Sequence, residues 1–129
     1  QVLSLIRDNN RIMLKGKVDN KLLREYYNNA ELFIFPSLYE GFGLPPLEAM
    51  ACGCPVLASN KTAIPEICSS AALYFDPYNK GELIDKINNL INDESLRDKL
   101  VDSGFKHAQK YSWKASANKI INLIKDISE

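Results

Sequence analysis

The chain has 129 residues, of which 46% are hydrophobic and 25% charged, and its 16 Lys+Arg balance 16 Asp+Glu to a formal charge of zero. That balance excludes the basic stripe of a dedicated nucleic-acid binder, and the composition is neither disordered, collagenous nor disulfide-stapled. The apolar runs last a few residues against the ~20 that a membrane span requires, so no transmembrane segment is expected, and the length fits one domain.

Gln1 is not an initiator methionine, and Val2, Leu3 and Ile6 open inside an apolar period with no signal-peptide pattern before them. The chain reads as cut from a longer protein. Short β-type runs then alternate with longer helical patterns, the signature of βαβ units feeding a parallel sheet and hence of an α/β fold. Strands are expected at residues 11–15, 32–35, 55–58 and 72–75. The run Leu32, Phe33, Ile34, Phe35 is apolar at every position, as in a strand covered on both faces, which predicts a place in the middle of the sheet. Helices are expected at 21–30, 46–52 and 64–68. From Asn79 onward strand signals stop. Leu83, Ile84, Ile87, Leu90 and Ile91 make one apolar helix face, 94–109 reads as a second helix, and Ser112 caps a third that starts at Trp113 and carries Ala117, Ile120, Ile121 and Ile124 as its stripe. These three helices are expected to close the domain, with Trp113 as a packed anchor and the lone His107 as a surface or packing residue.

Cys52, Cys54 and Cys68 are odd in number and lack framework spacing, which suits a reducing compartment and inert thiols. A Cys-x-Cys metal half-site has no second Cys/His cluster to complete four ligands, so no metal is expected.

The stretch from Pro36 to Ser59, PSLYEGFGLPPLEAMACGCPVLAS, carries the chemistry. A strand ends at Pro36, a loop holds Gly41 and Gly43, and Pro45 and Pro46 sit where a helix would begin, a place that tolerates the missing amide hydrogen. The loop thus delivers the chain to a helix N-terminus at the carboxyl end of a strand, where ligands bind in open α/β sheets. The amides of Phe42, Gly43 and Leu44 would point outward with the helix dipole as an anion site; equally, Gly and Pro could simply punctuate a strand-to-helix turn. Glu40 and Glu48 flank this loop. A carboxylate accepts two hydroxyl hydrogen bonds, which suits a sugar or ribose diol, although two acids near a helix N-terminus can also be plain dipole partners. Lys61 could reach a ligand phosphate or remain a solvated loop lysine, and Tyr39 could cover the site.

The order E-GFGLPPL-E, AMACGCPVLASN and IPEI, together with KGKV at 15–18, YYNNAELFIFPSLYEGFG, AALYFDP and YSW, resembles the E-x7-E region of retaining GT-B glycosyltransferases of the sucrose-synthase and mannosyltransferase type. The resemblance covers nearly the whole chain. It implies a Rossmann-like, partial C-terminal nucleotide-sugar-binding domain over 1–129. Glu40 would then match the acid that contacts donor-sugar hydroxyls at the reacting centre, with Gly41 supporting that loop. Phe42, Gly43 and Leu44 would give amides to sugar and diphosphate oxygens, and Glu48 would bind the ribose diol. Lys17 and Val18 would lie where the base is held, and Glu66 would order the site, through the loop bearing Glu40. Family members transfer a sugar from a nucleotide-diphosphate donor with retention, by positioning and charge stabilisation more than by a strong protein base; no metal or cofactor is implied.

The chain departs from the family in lacking the Arg and Lys that clamp the donor diphosphate, the first two strands, and the N-terminal domain that supplies the saccharide or lipid-linked acceptor site. The fragment alone is therefore expected not to transfer sugar. Without those strands, residues 11–15 should lose their sheet and 32–35 should bare an edge that either re-pairs within the chain or joins a second copy. The parent is read as a hexosyltransferase, in particular a mannosyltransferase using a GDP sugar, which builds surface polysaccharide in the cytoplasm or at the inner membrane face. The rivals are a non-catalytic nucleotide- or phosphate-binding module and a response-regulator-like interaction domain with an acidic cluster and a lysine at strand ends. The dinucleotide glycine pattern of an oxidoreductase is absent.

Overall fold

The computed structural model describes residues 9–128. Its elements run α1 (Asn20–Asn29), β1 (Phe33–Phe35), α2 (Leu44–Ala51), β2 (Val56–Ser59), α3 (Ile64–Cys68), a 3-10 turn (Ser69–Ala71), β3 (Leu73–Phe75), α4 (Lys80–Asn92), α5 (Glu94–Ala108) and α6 (Trp113–Ser128). The apolar period at Val2, Leu3 and Ile6 lies outside the described residues. Short polar side chains decide where several helices begin. Asp19, Asn79 and Asp93 accept the N–H of Leu22, Glu82 and Leu96 at 2.8, 3.1 and 2.9 Å, and the Ser112 hydroxyl accepts that of Ala115 at 3.1 Å, as its sequence position predicts. Arg97 caps the far end of α4 by donating from one Nη1 to the carbonyls of Leu90 and Ile91, each at 2.6 Å.

The strands pair in parallel in the order β1-β2-β3, with Phe33 opposite Val56 and Ala58 opposite Tyr74. Every residue of β2 is buried. Val56 and Ala58 face a core shared with Tyr27, Leu47, Met50, Ile64 and Cys68, while Leu57 faces the other core with Phe75, Leu90 and Leu100. A strand covered by both layers has no solvent face, so Val56, Leu57 and Ala58 are all apolar, and the polar Ser59 that ends it is buried too. The result is an α/β three-layer arrangement. The central strand is β2 and not, as its composition suggested, the 32–35 run, whose β1 lies at an edge of this sheet with its three residues half-buried.

Residues 11–15 form no strand. Ile12, Met13 and Leu14 are exposed, and the Lys15 ammonium instead lies 5.7 Å from the Tyr26 ring centroid on α1. A strand exists only as a hydrogen-bonded pair, so an apolar run with no neighbouring strand to join stays irregular. The segment is separated from the sheet as expected, and it does not re-pair with the β1 edge. The second departure is α6. Trp113 is 86% exposed rather than packed, and Ile120 and Ile121 are 58% and 48% exposed. An amphipathic stripe states which face is apolar but cannot supply the surface that would cover it. Among the described residues, no helix is long and apolar enough to cross a membrane.

Candidate functional site

The site begins at the carboxyl end of β1. Pro36 ends the strand, and residues 37–43 rise as a loop onto the head of α2, which packs against β1, β2 and α5. Pro45 and Pro46 occupy the first turn of α2 and need no acceptor there. Gly43 is the residue before the helix, with φ +92° and ψ 59°, and a β-carbon built on it would meet Ile64 Cγ1 at 4.0 Å. Its requirement for glycine is conformational, because there is room for the carbon but not for the backbone angle. Gly41 is different: its φ is unexceptional and a β-carbon there would meet nothing. Gly43→Ala should therefore cost about 1–2 kcal/mol, whereas Gly41→Ala should leave thermal stability unchanged; equal midpoints for the two variants would remove the conformational argument.

Gly41, Phe42 and Leu44 are exposed while Gly43 is buried over α3. No side chain caps α2. Among the described residues, the N–H groups of Phe42, Gly43 and Leu44 have no acceptor, so three donors remain available at the positive end of the helix. The Phe42 ring stands edge-on to Tyr111, with centroids 6.0 Å apart. Tyr111 and His107 both reach the last turn of α3: the Tyr111 hydroxyl donates to the Ile67 carbonyl at 3.2 Å, and His107 Nε2 lies 2.7 Å from the same oxygen. The only histidine is thus a packing residue, as its remote position implied.

Glu40 is half-buried and held twice. The Ser37 hydroxyl donates to Glu40 Oε1 at 2.9 Å, and the Glu40 N–H donates to Thr62 Oγ1 at 3.2 Å across a separation of 22 residues. Glu66, which the family pattern suggested as the ordering acid, is exposed on α3, and among the described residues no hydrogen bond or ion pair joins it to this loop. Neither Ser37 nor Thr62 stood out in the sequence. Glu48 lies on the opposite flank. With Ala51 and Cys52, at helical spacings of three and four, it faces α1 across a cleft of about 480 Å³ whose other wall is Asn20, Leu23, Arg24, Tyr27 and Asn28. Among the described residues neither the Glu48 carboxylate nor the Arg24 guanidinium makes a hydrogen bond or an ion pair. Burial, followed by the charge of Glu48, pushes the Tyr27 hydroxyl up to about 12. The acids therefore reach different neighbours, with the free amides of residues 42–44 between them along the chain. Lys17 and Val18 sit in the turn that opens at Gly16 (φ +61°) and leads through Asp19 into Asn20 on the cleft wall.

At the carboxyl ends of β2 and β3, Lys61 Nζ pairs with Asp76 Oδ1 at 3.1 Å and lies 5.8 Å from the Tyr78 ring centroid. The Asp76 carboxyl is held below its ordinary value by the Tyr78 N–H first and the Lys61 ammonium second. Lys61 is therefore neither a free solvated lysine nor an unengaged phosphate ligand. Tyr39 is 83% exposed and projects from the loop. The thiols of Cys52, Cys54 and Cys68 are free, and among the described residues no three His, Cys, Asp or Glu side chains cluster as metal ligands.

A family model described as "Glycosyl transferases group 1" matches residues 5–107. The O-antigen chain mannosyltransferase B of Escherichia coli is 39% identical over 110 residues, which is 85% of this chain and 29% of that protein. Among solved structures, the sucrose-phosphate synthase of Thermosynechococcus elongatus superposes with a TM-score of 0.86 at 28% identity, over 98% of this chain and 33% of the other. The C-terminal domain of a glycosyl transferase group 1 family protein from Francisella tularensis does so with a TM-score of 0.66 at 31% identity, over 75% of this chain and 51% of the other. The chain thus spans less than a third of the length of the curated relative to which it is similar.

Proposed function

Because this chain belongs to the glycosyl transferases group 1 family, we propose that it is the donor-binding portion of a retaining hexosyltransferase, in particular a mannosyltransferase acting in surface polysaccharide synthesis. The observation that carries this reading is a pair of features on α2: its uncapped N-terminus with the free amides of residues 42–44, and, on its flank toward α1, a cleft lined by the Glu48 carboxylate and the Arg24 guanidinium. Glu48 takes the ribose diol, and Arg24, Asn20 and the turn at Lys17 and Val18 meet the base. The amides of Phe42, Gly43 and Leu44 take diphosphate and sugar oxygens, and Glu40, held by Ser37, takes donor hydroxyls at the reacting carbon. None of these groups is a strong base, which fits a reaction that runs on position and on stabilising the departing phosphate.

On this reading the partners are a nucleotide-diphosphate sugar, with no metal or cofactor, and a saccharide or lipid-linked acceptor held by further chain at the cytoplasmic face of the membrane. The three-residue β1 edge offers a place for a second copy. Residues 1–129 are read as part of a C-terminal donor domain, and this chain by itself is expected not to transfer sugar, because its own residues offer neither an acceptor site nor the basic pair of a diphosphate clamp.

The test is a titration of the chain with a GDP sugar and a UDP sugar, read at the backbone amides of residues 42–44. Those amides should shift on binding. Glu48→Gln should weaken binding about tenfold or more, the worth of a charged hydrogen bond, with no change in stability because Glu48 is exposed. Loop amides indifferent to both nucleotide sugars would remove the reading.

A further inference from the structure

We infer that Thr62 is a positioning residue for Glu40, a role that rests on Glu40 touching the donor sugar. Thr62 has φ +53°, in the left-handed region where a β-branched residue is a genuine outlier. Its side chain is exposed, so burial does not account for a threonine there. Glycine or asparagine would take the same backbone angle at less cost. What threonine adds is a hydroxyl, and that hydroxyl accepts the Glu40 N–H at 3.2 Å.

This bond joins two loops that leave the carboxyl ends of adjacent parallel strands, residues 36–43 after β1 and 60–63 after β2. Both ends of the tether are themselves fixed. On the β2 side, the Lys61 N–H donates to the buried Ser59 hydroxyl at 3.2 Å and the Lys61 ammonium pairs with Asp76. On the β1 side, Gly43 rests against Ile64. Within this frame, Thr62 sets the height of the Glu40 backbone and Ser37 sets the direction of its carboxylate. Losing either should leave the fold intact and let the acid wander.

The strain makes the effects on stability and on positioning separable. Thr62→Gly relieves the backbone and deletes the acceptor, and Thr62→Ser keeps the acceptor. Amide hydrogen exchange at Glu40, thermal unfolding and nucleotide-sugar affinity are measured on all three chains. Thr62→Gly should melt at the wild-type temperature or a few degrees higher, because strain relief opposes the added freedom of the unfolded chain. It should nevertheless speed Glu40 exchange about two- to tenfold, the range of one net hydrogen bond, and weaken nucleotide-sugar binding. Thr62→Ser should restore both to wild type. If wild type binds a nucleotide sugar, but Thr62→Gly matches it in affinity and in Glu40 exchange, or Thr62→Ser fails to restore them, the positioning role is overturned. Failure of the donor-site reading looks different: wild-type loop amides then ignore the nucleotide sugar whatever stands at position 62.

Discussion

Gly104→Leu is expected to destabilise the chain more than any change at the candidate site. Gly104 is buried where α5 crosses α2, and a β-carbon built on it would lie 3.0 Å from Met50 Cγ and 3.3 Å from Met50 Cβ, with the Met50 Cα at 3.7 Å. The distance to the Met50 Cα is an ordinary contact, but Cγ and especially Cβ belong to the stem of the side chain, and Cβ can give way only if α2 itself shifts. One added methyl should therefore cost about 1–3 kcal/mol and a leucine more, against a total of about 5–15 kcal/mol for a domain. Urea unfolding reads the loss. Met50→Ala opens room at the same contact, so the double variant Met50→Ala, Gly104→Ala should be more stable than the two single losses predict when summed. Strict additivity would show that the close approach of the two helices is not the cause. Because α2 carries Glu48 and presents the free amides at its head, Gly104→Ala should also weaken nucleotide-sugar binding while leaving every proposed ligand contact chemically intact.

That coupling follows from how the site is built. The donors and the carboxylates sit on a loop and on an eight-residue helix, too short to stand without tertiary support. Their positions are set by the core below: Leu47, Ala49 and Met50 of α2 are buried against the face of β2 formed by Val56 and Ala58. Glu48 points away from that core because it lies on the opposite side of the helix from these residues. A site of this kind is rigid to the extent that its helix is, and α5 is the second surface that holds the helix in place.

Elements defined by local chemistry were legible in the sequence. The Ser112 cap of α6 acts on a residue three places away, and the strand runs at 32–35, 55–58 and 72–75 follow from local pattern, although the apolar 32–35 run lies at the sheet edge and not at its centre. The acids on either side of the glycine loop were legible too, because a single loop and the first turns of one helix carry both. What depended on distant chain was not. Residues 11–15 have the composition of a strand but form none, and the stripe of α6 predicted a buried face although Ile120 and Ile121 are exposed. The wall opposite Glu48 comes from α1, so the cleft is a consequence of the distance between two helices. The tether at Thr62 depends on a backbone angle that favours glycine or asparagine, which a threonine in the sequence conceals.

Raising the pH should unfold the chain through groups that the core holds neutral. Burial, with a contribution from Glu48, pushes the Tyr27 hydroxyl from 10.0 to about 12. Burial likewise pushes the Cys54 and Cys68 thiols from 9.0 to about 11, at Cys54 with help from Cys52 and against a backbone hydrogen bond to Phe33. The Tyr74 hydroxyl is raised further still, by burial and then by Cys68. Each group is an acid whose charged form is disfavoured in the fold. Its contribution is complete below the unfolded value, near pH 9 for the thiols and 10 for the tyrosines, and is lost as pH rises through the folded value. A tenfold weakening of an acid on folding corresponds to about 1.4 kcal/mol, so several groups together remove a large part of a domain's stability. The urea midpoint should be flat up to about pH 8.5 and fall steeply between about pH 9 and 12. Tyrosinate absorbance should show Tyr27 ionising together with the loss of structure. At about pH 8, a thiol reagent should modify Cys54 and Cys68 slowly, since both are buried and neutral. A midpoint that stays level through about pH 11 would mean that these hydroxyls and thiols reach water without opening the core.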